Sequence, residues 1–317
     1  MKKLLYVVHR YAPFPGGSEN HVRDLAEESV RQGCDVTVFA GTHKGDLNGV
    51  KLTSDPSIIE QDFDLIIIHG GDVYIQNYVL ERIRFLKSPV LYLLILPSES
   101  AVCLQALKDA SYIGCSTLED WAHVEKYGVK NKSIEINVSI DIQKSAGILG
   151  FKKKYNIQTE KMFLSSGGFW QHKGMEKLKE LFNRLPIKDT TLVLTGYQNW
   201  NMAPKETSHI KCLLLEEKQD VLDAMKETDL YIMNSYNEGF GLVLLEAMYN
   251  KAPWAARNIA GARLMSAFGN TYNSDSELMK IMMNYKKDQY VLEQAKSHVI
   301  EKHSNRSVVE KILKLGE

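Results

Sequence analysis

The 317-residue sequence lacks most of the features that place a protein in a narrow class at once. Its four cysteines, Cys34, Cys103, Cys115 and Cys212, lie far apart and show no C-x-x-C spacing. Neither a disulfide framework nor a zinc site is indicated, and the cysteines read as small buried apolar residues. No stretch approaches the roughly 18 uninterrupted apolar residues of a membrane span. The opening MKKLLYVVHRY has a basic start, but its apolar run of about five residues is shorter than a signal h-region. It is read as a first strand, and the chain as cytoplasmic. No charge of one sign dominates: residues 1–150 carry 15 basic and 19 acidic side chains, a net −4 that the remainder balances with 24 and 20. That argues against a strongly basic nucleic-acid surface and fits a C-terminal half that handles an anion. No internal repeat or low-complexity tract is visible, which argues against solenoids. A dinucleotide fingerprint G-x-G-x-x-G and a P-loop G-K-[ST] are both missing.

What is present is ordinary globular composition, 44% hydrophobic and 25% charged, in a chain long enough for two cores. Short apolar runs alternate with amphipathic segments throughout, the pattern of parallel sheets covered by helices. Strands are expected at residues 4–9, 35–41, 64–70, 89–96 and 111–116, and again at 162–168, 191–196, 211–217, 229–235 and 253–257. Near-continuous apolar strands of this kind are covered on both faces. The fold class is therefore α/β with two Rossmann-like, doubly wound domains. The polar stretch SIDIQKSAGILGFKKKYNIQ marks the boundary, giving domains at 1–150 and 151–317, the second completed by the helix-like residues from Ser276 to the end.

Open parallel sheets bind ligands at the carboxyl ends of their strands, so loops that follow strands carry the most information. In DLYIMNSYNEGFGLVLLEAMYN, Gly239 and Gly241 let the backbone approach a ligand, and the amides of Phe240, Gly241, Leu242 and Val243 suit a phosphate at a helix start. Glu238 lies in the loop on one side of that anion site and Glu246 one helical turn inside on the other. Carboxylates accept hydroxyls well, so the arrangement suits a ligand with a diphosphate in the middle and polyols at both ends. Read alone, the spacing of Glu238 and Glu246 makes Glu246 an ordinary exposed helix residue; the surrounding loop is what turns the reading toward a ligand. In HRYAPFPGGSENHV, the loop from Pro13 through Pro15, Gly16 and Gly17 precedes a helix that Ser18 is placed to cap; it is either an anion or hydroxyl contact or a plain tight turn. In FLSSGGFWQHKGMEKL, Lys173 at a helix start reads as a phosphate contact or as a solvated lysine.

At these residues the chain resembles the retaining GT-B glycosyltransferases of family GT4. The likeness runs in order through PGGSENHVRDLAEESVRQGCDVTVFAG, DLIIIHG, SSGGFWQHKG, LVLTG and NEGFGLVLLEAMYNKAPWAA. The resemblance implies two Rossmann-like domains around a cleft and metal-independent transfer of a sugar from a UDP- or GDP-sugar with retention. No cofactor is implied beyond that donor substrate. It further implies that Glu238 contacts the donor sugar, Glu246 the ribose, the amides of Phe240 to Val243 the diphosphate, and Lys173 the departing phosphate. Gly16 and Gly17 would close the site from the first domain.

Two departures stand out. The position where the family has an arginine near the diphosphate is Gly168 here, with Arg257 or Arg263 as substitutes, and the histidine after the fourth N-terminal strand is replaced by LYLLILPSES, with Ser98 and Glu99 there. His69 ends DLIIIH at the strand end that would line the cleft, and reads either as a cleft residue or as a packed or solvated strand-end histidine. The D-x-D of Asp62 and Asp64 sits at the wrong end of a parallel strand for a metal site. The expected partners are a nucleotide-sugar donor and a carbohydrate, lipid or small-molecule acceptor, with no nucleic acid, no transmembrane segment and membrane contact at most peripheral. A non-catalytic nucleotide-sugar-binding protein and a nucleotide-sugar epimerase are the alternatives on the same fold.

Overall fold

A computed structural model of the chain describes all residues except Pro15, Thr42, His43, Asp72, residues 197–199, Glu216 and residues 316–317. Two compact units emerge, Met1–Ile140 with Lys302–Glu317, and Asp141–Glu301.

The first unit contains strands β1 (Lys3–Val7), β2 (Asp35–Phe39), β3 (Gly45–Leu47), β4 (Val50–Thr53), β5 (Leu65–His69), β6 (Val90–Leu93), β7 (Tyr112–Cys115) and β8 (Ser133–Glu135). Its helices are α1 (Gly17–Arg31), α2 (Tyr74–Leu80), α3 (Ala101–Asp109) and α4 (Leu118–Lys126). The sheet order is β3-β4-β2-β1-β5-β6-β7-β8, parallel throughout except for the β3–β4 hairpin. Side chains alternate faces along a strand. Accordingly Leu4, Tyr6 and Val8 enter one core cluster while Leu5 and Val7 enter the other. Both faces of the sheet are therefore covered, which is why its strands read as unbroken apolar runs.

The second unit begins with α5 (Phe151–Lys154) and contains β9 (Lys161–Ser166), α6 (Met175–Asn183), β10 (Thr190–Thr195), β11 (Ile210–Leu213), α7 (Lys218–Glu227), β12 (Leu230–Met233), α8 (Leu242–Tyr249), β13 (Trp254–Arg257), α9 (Ala260–Leu264), β14 (Asn270–Tyr272), α10 (Asp275–Asn284) and α11 (Gln289–Lys302). Its sheet is parallel, in the order β11-β10-β9-β12-β13-β14. All ten strands expected from the sequence form. The additional ones, β3, β4, β8 and β14, are short.

The expected boundary near residue 150 falls at Ile140 instead, and the terminal helices do not all complete the second unit. Helix α12 (Asn305–Leu313) places Val308, Val309 and Ile312 in the first unit's core, against the residues of α1. The chain returns through paired backbone, with the Ile140 amide donating to the His303 carbonyl at 2.9 Å and the Asn305 amide donating to the Ile140 carbonyl at 3.1 Å. Among the described residues no helix is long and apolar enough to cross a membrane.

The entry to the second unit is held by Asn250, just beyond α8 and 3% exposed. Its Oδ1 accepts the Gly147 amide at 2.7 Å, and its Nδ2 donates to the carbonyls of Ser145 at 2.8 Å and Glu246 at 2.9 Å. Asn250→Ala strands those buried groups and is expected to cost roughly 2 to 3 kcal/mol. Urea unfolding measures it, and a loss below about 0.5 kcal/mol counts against this role.

Candidate functional site

In each unit the chain builds outward from one strand, then crosses to the strand on its other side. The order reverses between β9 and β12 in the second unit and between β1 and β5 in the first. Loops leaving such a reversal diverge and open a crevice at the carboxyl ends of the strands.

At the second unit's reversal, the loop after β9 runs through Gly168 and a short 3₁₀ turn, Gln171–Lys173, before α6. The loop after β12 runs through Glu238 to α8. They are tied together by Asn234, 1% exposed, whose Nδ2 donates to the Gly174 carbonyl at 2.7 Å and whose Oδ1 accepts the Tyr272 hydroxyl at 2.8 Å. The Tyr236 amide adds a bond to the His172 carbonyl at 2.8 Å. Gly174 is left-handed (φ +65°), and a Cβ there would lie 2.7 Å from the Asn234 carbonyl oxygen, so both conformation and space require glycine.

This tie brings Lys173 and Glu238 into an ion pair, each largely but not wholly buried. The other expected acid is also paired: Glu246 accepts from Lys218 Nζ at 2.8 Å. Helix α8 is otherwise apolar and its Leu244, Leu245, Ala247 and Met248 are buried, so Glu246, 7% exposed, is drawn into the protein with them. A buried carboxylate requires a partner, and Lys218 supplies it. The reading of Glu246 as a surface residue is thereby corrected. Both carboxylates act on one group, Tyr231. Burial pushes its phenol up, the hydrogen bond with Ser166 (3.0 Å) opposes the shift, and the negative charges of Glu246 and Glu238 add to it.

Between the two acids stands the start of α8. Gly241 is left-handed (φ +89°), no side chain caps the helix, and Gly241, Leu242 and Val243 are half-buried while the Phe240 side chain is buried. The Phe240 carbonyl rests on Gly261, where a Cβ would lie 1.9 Å away. The first-turn amides of an uncapped helix are oriented for an anion. Gly168 is half-buried beside β9 and brings no cation. Arg257, read as a substitute, is engaged elsewhere: it donates to the Asn234 carbonyl (3.3 Å) and to Asp275 (3.2 Å) and lies over the Tyr236 ring. Arg263 donates to the Asn258 carbonyl.

At the first unit's reversal the Gly-Gly loop differs from expectation. The helix starts at Gly17, with Gly16 at its N-cap and no side-chain cap, so Ser18 does not cap it. Pro15 lies outside the described residues. The Glu19 carboxylate folds back over Gly16, where a Cβ would lie 2.1 Å from its Oε2. Glu19 is held by Arg10 (2.9 and 3.0 Å) and faces His9 at 3.2 Å. The anion beside Gly16 is thus the chain's own.

Next to it, His69 is not a crevice-lining residue but is packed on His21, Nε2 to Nδ1, at 2.8 Å. The Ser139 amide donates to His21 Nε2 at 3.2 Å, so His21 carries its proton on Nδ1 and donates to His69. Protonating either ring at an accepting nitrogen breaks this chain. Burial pushes His69 down to about 4 and His21 well below its usual range. Asp64 accepts the Lys3 amide at 2.6 Å, at the amino ends of β1 and β5, a structural use.

Sequence reasoning missed Lys218, Asn234, Tyr231 and the histidine pair. Lys218 was within reach, since it follows the expected strand at 211–217 directly. The others depend on contacts between distant segments.

Residues 150–271, which span the second unit's sheet, match the family model for glycosyl transferases group 1. No curated protein matches the chain. Among solved structures, sucrose-phosphate synthase from Thermosynechococcus elongatus is 13% identical with a TM-score of 0.79, over 99% of this chain and 98% of that one. HepE of Anabaena, in complex with UDP and glucose, is 15% identical with a TM-score of 0.75, over 99% of both chains. A glycosyltransferase from Rickettsia africae is 15% identical with a TM-score of 0.76, over 99% and 97%. Likeness at such identities is one of fold, and the fold is GT-B.

The neutral histidine pair has a thermodynamic signature. Below about 6.5 the unfolded chain protonates these histidines. The folded His69 resists until about 4. Its stabilising effect is complete above 6.5 and is lost as pH falls toward 4. Between pH 7 and pH 5 the His69 contribution falls by about 2 kcal/mol, and His69→Gln is expected to flatten the profile by that amount in urea titrations. Identical slopes for the two proteins would count against a neutral pair.

Proposed function

We propose that the chain transfers a sugar from a UDP- or GDP-sugar to an acceptor hydroxyl, with retention at the anomeric carbon and without a metal ion, as a GT4-type enzyme. The observation that carries this reading is the pairing of Lys173 with Glu238 across the β9–β12 reversal, beside the uncapped start of α8. The group 1 match over residues 150–271 and the UDP-and-glucose complex of HepE support it.

On this reading the diphosphate lies on the amides of Gly241 to Val243 and takes Lys173 as its cation. Glu238, freed from Lys173, accepts hydroxyls of the donor sugar. Glu246 accepts the ribose hydroxyls, with Lys218 alongside. As the bond from the anomeric carbon to the phosphate oxygen breaks, the acceptor oxygen bonds to that carbon from the same face. The proton of the acceptor hydroxyl leaves with the nucleoside diphosphate. Catalysis is then the stabilisation of charge developing on the leaving group by fixed donors.

One observation favours a second reading. With Gly168 where a cation is expected and Arg257 held by Asp275, Lys173 stands with little help at the diphosphate. A protein that binds nucleotide sugars without transferring them would have such a site.

Release of nucleoside diphosphate from a panel of UDP- and GDP-sugars separates the readings. Release is expected from at least one donor, and Lys173→Ala or Glu238→Ala is expected to lower it roughly a hundredfold or more. Both side chains are largely buried, so truncating one leaves its partner uncompensated and lowers the melting temperature; activities are compared at a temperature where both variants remain folded. Calorimetric binding without release selects the binding protein, and an epimerised sugar formed without acceptor selects an epimerase. Full activity in Glu238→Ala would defeat the assignment.

A further inference from the structure

A cavity of about 600 Å³ opens over the start of α6, and neither Glu238 nor Glu246 lines it. Its size falls within the roughly 300–1,000 Å³ of small-molecule sites. Phe169, Trp170 and Tyr236 form its aromatic part; Phe169 is buried, while Trp170 and Tyr236 are large rings left about half in solvent, 46% and 53% exposed. Tyr236 is nevertheless immobilised. Its amide is bonded to the His172 carbonyl, the Arg257 guanidinium lies 4.2 Å from its ring centre, and its edge packs on Gly174, where a Cβ would sit 3.2 Å from Cε2. Here a ring is fixed at a surface instead of being folded into the core, although covering it would be favourable.

The polar lining selects the ligand. Gln171, Glu176 and Glu180 supply carboxylate and amide acceptors, with Lys177 the lysine of the lining. Lys177 is already shared between Glu180 at 3.5 Å and Asp275 at 3.3 Å. Glu176 is likewise paired, with Lys179 at 3.2 Å, so among the described residues the one lysine of the lining is already engaged by two carboxylates, which disfavours phosphates and acidic sugars. Carboxylates and an amide do bond hydroxyls well. Fixed aromatic faces, in turn, bury the C–H face of a pyranose ring, as they bury other apolar surface at binding sites. We infer that this cavity binds an uncharged carbohydrate segment on the Trp170 and Tyr236 rings, with its hydroxyls on Gln171, Glu176 and Glu180. The site is formed within the second unit and does not require donor transfer.

The full chain, applied to an array of neutral, sialylated and phosphorylated glycans, tests this directly. Neutral glycans should be captured, with half-saturation raised roughly tenfold or more in Trp170→Ala and in Tyr236→Ala. Urea midpoints near that of the parent chain establish that these two variants remain folded. Excess UDP should leave capture unchanged, because the residues assigned to the donor lie outside this cavity. The inference is overturned if no neutral glycan is captured, if only acidic glycans are, if both variants capture as well as the parent, or if UDP abolishes capture. Diphosphate release from donors is a separate measurement, so its failure with glycan capture intact faults the donor reading alone, and the reverse faults this site alone.

Discussion

The second unit's candidate site depends on the side chain of Asn234. A strand end has backbone groups to satisfy, and two loops diverging from adjacent strands have no reason of their own to stay together. Asn234 resolves both, because one amide can donate to Gly174 and accept from Tyr272 at once. Its carbonyl also receives Arg257. The left-handed Gly174 completes the joint, since any side chain there would occupy the space of the Asn234 carbonyl. With the joint closed, Lys173 meets the Glu238 carboxylate, and Tyr236 stands where its ring meets both Arg257 and Gly174.

The charges at this joint are stored in a form that a ligand can exchange. Lys173 and Glu238 are both largely buried, so neither is readily left without a counter-charge. On the proposed reading, a phosphate that replaces the Glu238 carboxylate keeps Lys173 paired. Glu246 is different. It is carried into the protein by an apolar helix, so losing Lys218 would leave a buried charge uncompensated. On the proposed reading, hydroxyls arriving at Glu246 add to the lysine rather than displace it. The first unit shows the opposite solution, with Glu19 folded over Gly16 and held by Arg10, a loop neutralised by its own side chain.

The strands were legible because burial on both faces writes itself as unbroken apolar runs such as LLYVV and LIIIH. The short edge strands β3, β8 and β14 were not, since three residues carry no period and an edge has neighbours on one side only. Helix α12 was visible as a helix but not as a member of the first unit. Periodicity gives the apolar stripe of VVEKIL and says nothing of which sheet buries it. Within the candidate site, Gly241 was legible as a place of close backbone approach, whereas the left-handed conformations of Gly174 and Gly241 show only in the fold. The pairing of His21 with His69, across 48 residues, could not be seen, because each histidine looks like a separate strand-end or helix residue until the fold joins them.

On the proposed reading, the lack of a cationic side chain at Gly168 bears on how a diphosphate would be held. A diphosphate leaving group gathers negative charge, and guanidinium is the usual means of holding it through a planar, two-pronged contact. At Gly168 no side chain can do so, and Arg257 is turned away by Asp275 and Asn234. What remains is Lys173, a point charge on a flexible stem, and the partial positive end of α8. Neither is directional in the manner of arginine. The left-handed turn at Gly241, the Phe240 carbonyl seated on Gly261 and the Asn234 joint therefore matter more here than they would beside an arginine. Rigid backbone donors have to supply the orientation that the absent side chain does not.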